Sequence, residues 1–163
     1  MTADTAIRPA GLALLPGGRG EEPAESGTFA TCALSGDLQA AGVARHFTRS
    51  TLQGWDMPDL VDDVEVIVSE MLSNAIRHGL GGTRGGAGTP NLVGLGLLRR
   101  GRTVLCAVSD PSTDVPVVRQ ADGFAESGRG LHLIGALSRA WGWTPPTRDG
   151  KSVWATVSAA ACA

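Results

Sequence analysis

The chain has 163 residues and a formal charge of −2. That length bounds it to one domain with one core, and the charge gives no basis for non-specific binding to nucleic acid or an anionic membrane. No apolar run approaches the roughly 20 residues of a membrane span, and the N-terminus lacks a basic segment followed by a signal-peptide core, so a cytoplasmic protein is the simplest reading. Cys32, Cys106 and Cys162 lie far apart with no Cys-x-x-Cys, which argues against a zinc site or a disulfide framework.

Residues 1–26 are rich in Gly, Pro, Ala and Glu without periodicity and read as a disordered leader, with the folded region starting at residue 28. Thr28 to Leu34 predicts a short strand. Asp37 to Leu52 has helical spacing, with Asp37 as candidate N-cap. After a connection containing Pro58, a second helix runs to about Arg77. Its apolar stripe is Leu60, Val61, Val64, Ile67, Val68, Met71 and Ala75, and Gly79 suits a left-handed C-cap. Residues 79–90 hold six glycines among twelve. No Gly-Lys-Ser/Thr closes that run, so it reads as a flexible linker and not as a phosphate loop. Asn91 to Leu98 and Arg102 to Ser109 predict a hairpin turned by Arg99-Arg100-Gly101. Arg129 to Arg139 predicts a third helix. Trp141 to Thr144 and Ser152 to Val157 predict the last strands, and residues 159–163 a tail. The three tryptophans on those strands read as packing residues. Interleaved helices and strands predict an α/β, two-layer sandwich: a mixed β-sheet with about three helices on one face.

Four pieces carry chemistry. Glu70 and Asn74 are an i, i+4 pair, so they project from one side of the second helix, on the flank of its apolar stripe. A carboxylate there can take a proton from a hydroxyl, and a carboxamide oxygen suits magnesium. Asp110 ends an apolar, β-branched run and is followed by Pro111, which places it at a strand's end. Gly128-Arg129-Gly130-Leu131 precedes an apolar helical pattern, where glycine allows close backbone approach and a helix start favours an anion. Gly150-Lys151-Ser152-Val153-Trp154 reads as a turn feeding a closing strand. Lys151 is the only lysine in the chain, and against thirteen arginines it reflects composition more than chemistry. His46, His78 and His132 read as structural, with His78 placed to cap the second helix.

In this order and spacing the pieces resemble the histidine-kinase-like (GHKL) ATPase superfamily, which groups gyrase, Hsp-type chaperones, histidine kinases and mismatch-repair ATPases. The match is nearest to the small anti-sigma-factor serine/threonine kinases and their actinobacterial relatives. It covers about residues 28–158 and implies a Bergerat-type ATP-binding fold. By that resemblance Glu70 is the catalytic base and Asn74 the magnesium ligand, with Arg77 and His78 following on the same helix as nucleotide contacts. Asp110 recognises adenine, Gly128, Arg129, Gly130 and Leu131 wrap the phosphates, and the Ser152 hydroxyl helps hold the adenine end. Residues 113–127 form the lid.

The resemblance implies ATP and magnesium as cofactors, and a sigma factor and a small antagonist protein bearing the acceptor serine as partners. Neither nucleic acid nor membrane is expected, and a homodimer is usual for the resembled kinases. The leading function is a protein serine/threonine kinase that also sequesters a sigma factor. The alternatives are a non-catalytic, nucleotide-gated binding module and a fold kept only as an interaction surface.

Overall fold

The computed structural model describes residues 27–79, 92–111, 129–148 and 150–160. The leader, the glycine-rich linker, the lid and the last three residues of the tail lie outside them. β1 spans Thr28–Ser35, β2 Leu92–Arg100, β3 Thr103–Asp110, β4 Ala140–Trp143 and β5 Lys151–Ser158; α1 spans Ala40–Gly54, α2 Val61–Asn74 and α3 Arg129–Leu137.

The strands form one sheet in the order β1-β2-β3-β5-β4, and every pairing is antiparallel. The two-layer α/β sandwich is as expected, but the sheet is antiparallel where a mixed one was expected. The connections explain this. α1 and α2 together return the chain to the end where β1 finished, Leu92 standing opposite Ser35, so β2 runs against it. The single helix α3 does give β4 the same direction as β3, but β5 inserts between those two strands. Both contacts then become antiparallel.

Packing follows the sequence pattern closely. All seven residues of the α2 stripe are buried, joined by Leu72. They share one core with Leu34, Leu95, Leu97, Val104, Cys106, Val153, Ala155 and Ile134. Burying each large aliphatic side chain contributes about 1.5–3 kcal/mol. This core fixes α2 against the sheet and so fixes the direction of its polar flank.

Three local features differ from expectation. α1 starts at Ala40, because Asp37 acts before the helix: its carboxylate accepts the Gln39 N–H at 2.9 Å and the Ser35 hydroxyl at 3.0 Å. α2 ends at Asn74 and hands over to a single π-helical turn, Ala75–Gly79, so its apolar stripe continues one turn past regular helix. The β2–β3 hairpin turns at Gly101-Arg102, since Arg100 still pairs with Thr103. Gly101 has φ +55°, which glycine adopts without a Cβ penalty.

Candidate functional site

Glu70 and Asn74 are half-buried on α2, one turn apart, while Met71 and Leu72 between them are fully enclosed. The flank position predicted for the pair is therefore what the packing produces. Facing them is the first turn of α3. A Cβ placed on Gly130 would stand 2.6 Å from Glu70 Oε2 and 3.7 Å from Asn74 Nδ2. Only a residue without a side chain allows the α3 backbone this close to the carboxylate. α3 is held there by Leu131 and Ile134, which enter the core, and by Gly135, where an added Cβ would meet Trp141 Nε1 at 3.3 Å.

A second polar group sits at the facing ends of β3 and β5. Asp110 and Lys151 are directly opposite in the antiparallel register. Lys151 Nζ donates to Asp110 Oδ1 at 3.0 Å and to Oδ2 at 3.2 Å. The two side chains are only 3% and 4% exposed, respectively. Breaking a buried, hydrogen-bonded ion pair by removing one partner is far costlier than breaking a surface pair. Gly150 makes the approach of the two strand ends possible. It has φ +109°, and a Cβ there would overlap the Asp110 carbonyl oxygen.

Strand alternation decides which of these side chains share a face. Asp110 and Lys151 continue the alternation of Cys106, Val108, Val153 and Ala155, so they belong to the helix-covered face. Ser152 is one residue on and lies on the opposite face. There its hydroxyl is 2.6 Å from that of Ser109, and its N–H donates to Thr144 Oγ1 at 3.0 Å. The serine expected at the adenine end is thus directed away from the face that carries Asp110.

The structure brings together Glu70, Asn74 and Gly130. It pairs Asp110 with Lys151, a residue that sequence reasoning set aside as compositional. The signal that could have found it is period-2 registry: once Asp110 ends an inward-facing series on one strand, its cross-strand neighbour must face inward too. Leu131 is in the core, 8% exposed, so only its backbone is left to face a ligand. Arg77 is exposed on the turn after α2. Gly128 and the side chains of His78 and Arg129 lie outside the described residues. His46 and His132 are exposed on α1 and α3.

The donor set suits a magnesium-bound nucleotide at the α2–α3 end. Gly130 leaves a cradle that a Cβ would fill, and the carboxamide and carboxylate beside it are hard oxygen ligands. Among the described residues no cluster of three or more His, Cys, Asp or Glu could cage a metal ion. Also among the described residues, no helix is long and apolar enough to cross a membrane.

Compared with curated proteins, the chain has no match. A family model described as a histidine kinase-like ATPase domain matches residues 34–157, from the end of β1 through β5. That stretch holds α2, the start of α3 and the Asp110–Lys151 pair, and the chain belongs to the histidine kinase-like ATPase domain family.

Proposed function

We propose that the chain binds ATP with magnesium and is a protein serine/threonine kinase of the anti-sigma-factor type, phosphorylating a small antagonist protein and sequestering a sigma factor in the cytoplasm. The observation that carries this reading is the half-buried acid and amide of α2 set against the side-chain-free Gly130 at the start of α3.

Bound Mg-ATP would supply the phosphoryl group, and the chain's own residues position and neutralise around it. In this reading Glu70 takes the proton of the attacking hydroxyl at Oε2, the oxygen nearest α3. Asn74 would hold the magnesium ion through its carboxamide oxygen. The amides at the α3 start face the phosphates, where Gly130 removes the steric barrier. A positioned base contributes about 10²–10⁴ in rate. The test is Glu70→Gln, followed by calorimetry with Mg-ATP and by transfer of labelled phosphate to a serine-bearing antagonist. The variant keeps nucleotide binding and loses transfer by about 10²–10⁴. Transfer at the wild-type rate would remove Glu70 from the role of base.

One observation favours a second reading, a nucleotide-gated binding module without transfer. Asp110, the residue assigned to the adenine amino group by resemblance, is held at both oxygens by Lys151. In this reading bound nucleotide acts only by its different affinity for two states of the chain, which sets partner binding. Nucleotide binding with no transfer to any antagonist, by wild type and Glu70→Gln alike, would select this reading.

A further inference from the structure

The two edges of the sheet are finished differently. β4 has four residues, packs on α3 through Trp141 and runs into Thr144 and Pro145. Shortness and proline both close a sheet edge to further pairing. β1, at the opposite end of the sheet, has neither. It has eight residues, Thr-Phe-Ala-Thr-Cys-Ala-Leu-Ser, with no charge and no proline, and Leu34 alone among them is buried. Its register with β2 runs from Thr28↔Arg99 to Ser35↔Leu92 without a bulge. Among the described residues nothing pairs with its outer edge.

The helix layer beside that edge is also free of charge. Arg49 bonds to Glu65 of α2, so the side of α1 that carries Arg45 and Arg49 faces α2. At about 100° per residue, Val43, Phe47 and Ser50 fall on the other side, toward the β1 edge. Val43 is 48% exposed, and Phe29, on the far face of β1, is 42% exposed. Leu38, in the turn after β1, is fully exposed. An unpaired strand edge bordered by exposed apolar side chains is a template for pairing with another chain.

We propose that this edge pairs with the same edge of a second copy, β1 against β1 in antiparallel sense about a two-fold axis, which joins two five-stranded sheets into one. Three observations select a copy as the occupant. First, a two-fold axis sets like residues against each other, and like charges directly opposite destabilise a strand pair. β1 and the outer side of α1 carry no Asp, Glu, Lys or Arg, while the arginines of α1 are turned toward α2. Second, the strand is self-complementary. Neighbouring residues alternate between hydrogen-bonded and open pairs, so a residue must stand opposite its own copy. With Thr31 opposite Thr31 of the second copy, Phe29 meets Ala33 and Cys32 meets Ala30, and threonine pairs of this kind are favourable. Third, the area suffices. β1 is about 27 Å long and the two layers are about 20 Å deep, which gives about 500 Å² from each copy and about 1,000 Å² in total. That is the low end for a specific interface, where association is weak and reversible. The inference involves neither Glu70 nor Asp110 and does not depend on the kinase reading.

The test is sedimentation of the full chain over micromolar to several hundred micromolar concentrations. The wild type passes from the 16.7 kDa monomer to a dimer across that range. Thr31→Lys and Thr31→Glu, exposed substitutions on β1, are each monomeric throughout, because each sets like charges across the axis. Mixed in equal amounts, the two restore the dimer. His132→Lys, on the exposed side of α3, dimerises as the wild type does. A wild type that stays monomeric at several hundred micromolar would overturn the proposal. So would Thr31 variants that dimerise alone as tightly as the wild type, a mixture that stays monomeric, or a His132→Lys variant that loses the dimer. If the Thr31 variants do not fold, Val43→Glu on the helix layer carries the test: it weakens the dimer, and a dimer of wild-type strength would refute the pairing.

Discussion

The polar groups at the α2–α3 end and at the β3–β5 end are built in opposite ways. Glu70 and Asn74 are half-buried and face a glycine whose missing side chain leaves them room. Asp110 and Lys151 are nearly sealed and satisfy one another. The first arrangement leaves acid and amide accessible at the price of little packing. The second is part of the core's own integrity, and a ligand approaching it meets an ion pair and not a lone carboxylate. Residues that look equivalent as motif positions in the sequence therefore differ in what their removal should do.

Lys151→Met should give the largest effect on stability. It leaves the Asp110 carboxylate buried without its ammonium partner, a change that typically costs about 3–5 kcal/mol. The double variant Asp110→Asn/Lys151→Met removes both charges and should lose less than the sum of the two single changes. Denaturant unfolding measures all three. A Lys151→Met midpoint equal to the wild type would mean that the β3–β5 end is no more structural than the α2–α3 end.

The same enclosure acts on Cys106, on the same strand and the same face as Asp110. Burial pushes its thiol up to about 12, from an ordinary value of 9.0. The folded state therefore holds the thiol proton more tightly than the unfolded chain does. The stability tied to that proton is fully present below pH 9 and is lost as pH rises from 9 toward 12. Within that window the unfolding free energy should fall by up to about 1.4 kcal/mol per pH unit from this group. Cys106→Ala should be flatter than the wild type by that amount when both are unfolded at pH 8, 9 and 10. Equal slopes would show that the interior of β3 is wetter than its packing implies.

Much of this was legible in the sequence because it depends on local periodicity. The α2 stripe gave both the helix and the flank on which Glu70 and Asn74 stand, since a 3.6-residue repeat determines both together. Asp110 at a strand end was readable from Pro111. What could not be read was anything that depends on registry between strands. The sheet is antiparallel because β5 inserts between β3 and β4, which no single segment records. Lys151 faces Asp110, and Ser152 faces away, because of a one-residue phase in β5. The phosphate-side motif was readable in kind, but not its closest contact: that Gly130 abuts Glu70 Oε2 follows from how α3 seats on Trp141 through Gly135.

Gly130→Ala should have the smallest effect on stability and separates the two ends most sharply. Gly130 is in a helix with no positive φ, where alanine in place of glycine stabilises a protein by about 0.4–1 kcal/mol when nothing clashes. Here the added Cβ would meet Glu70 Oε2 at 2.6 Å, the far end of a flexible, half-exposed side chain that can rotate away. The backbone need not move, so thermal unfolding should stay within about 1 kcal/mol of the wild type. The carboxylate, however, must leave the place it holds beside α3, and the added methyl occupies the cradle itself. If that cradle is where phosphates bind, calorimetry with Mg-ATP should show weakened binding in a protein that is as stable as the wild type or more so. A stable Gly130→Ala variant with unchanged Mg-ATP affinity would mean that the closeness of α3 to Glu70 is only packing, and the contrast between an open functional end and a closed structural end would collapse.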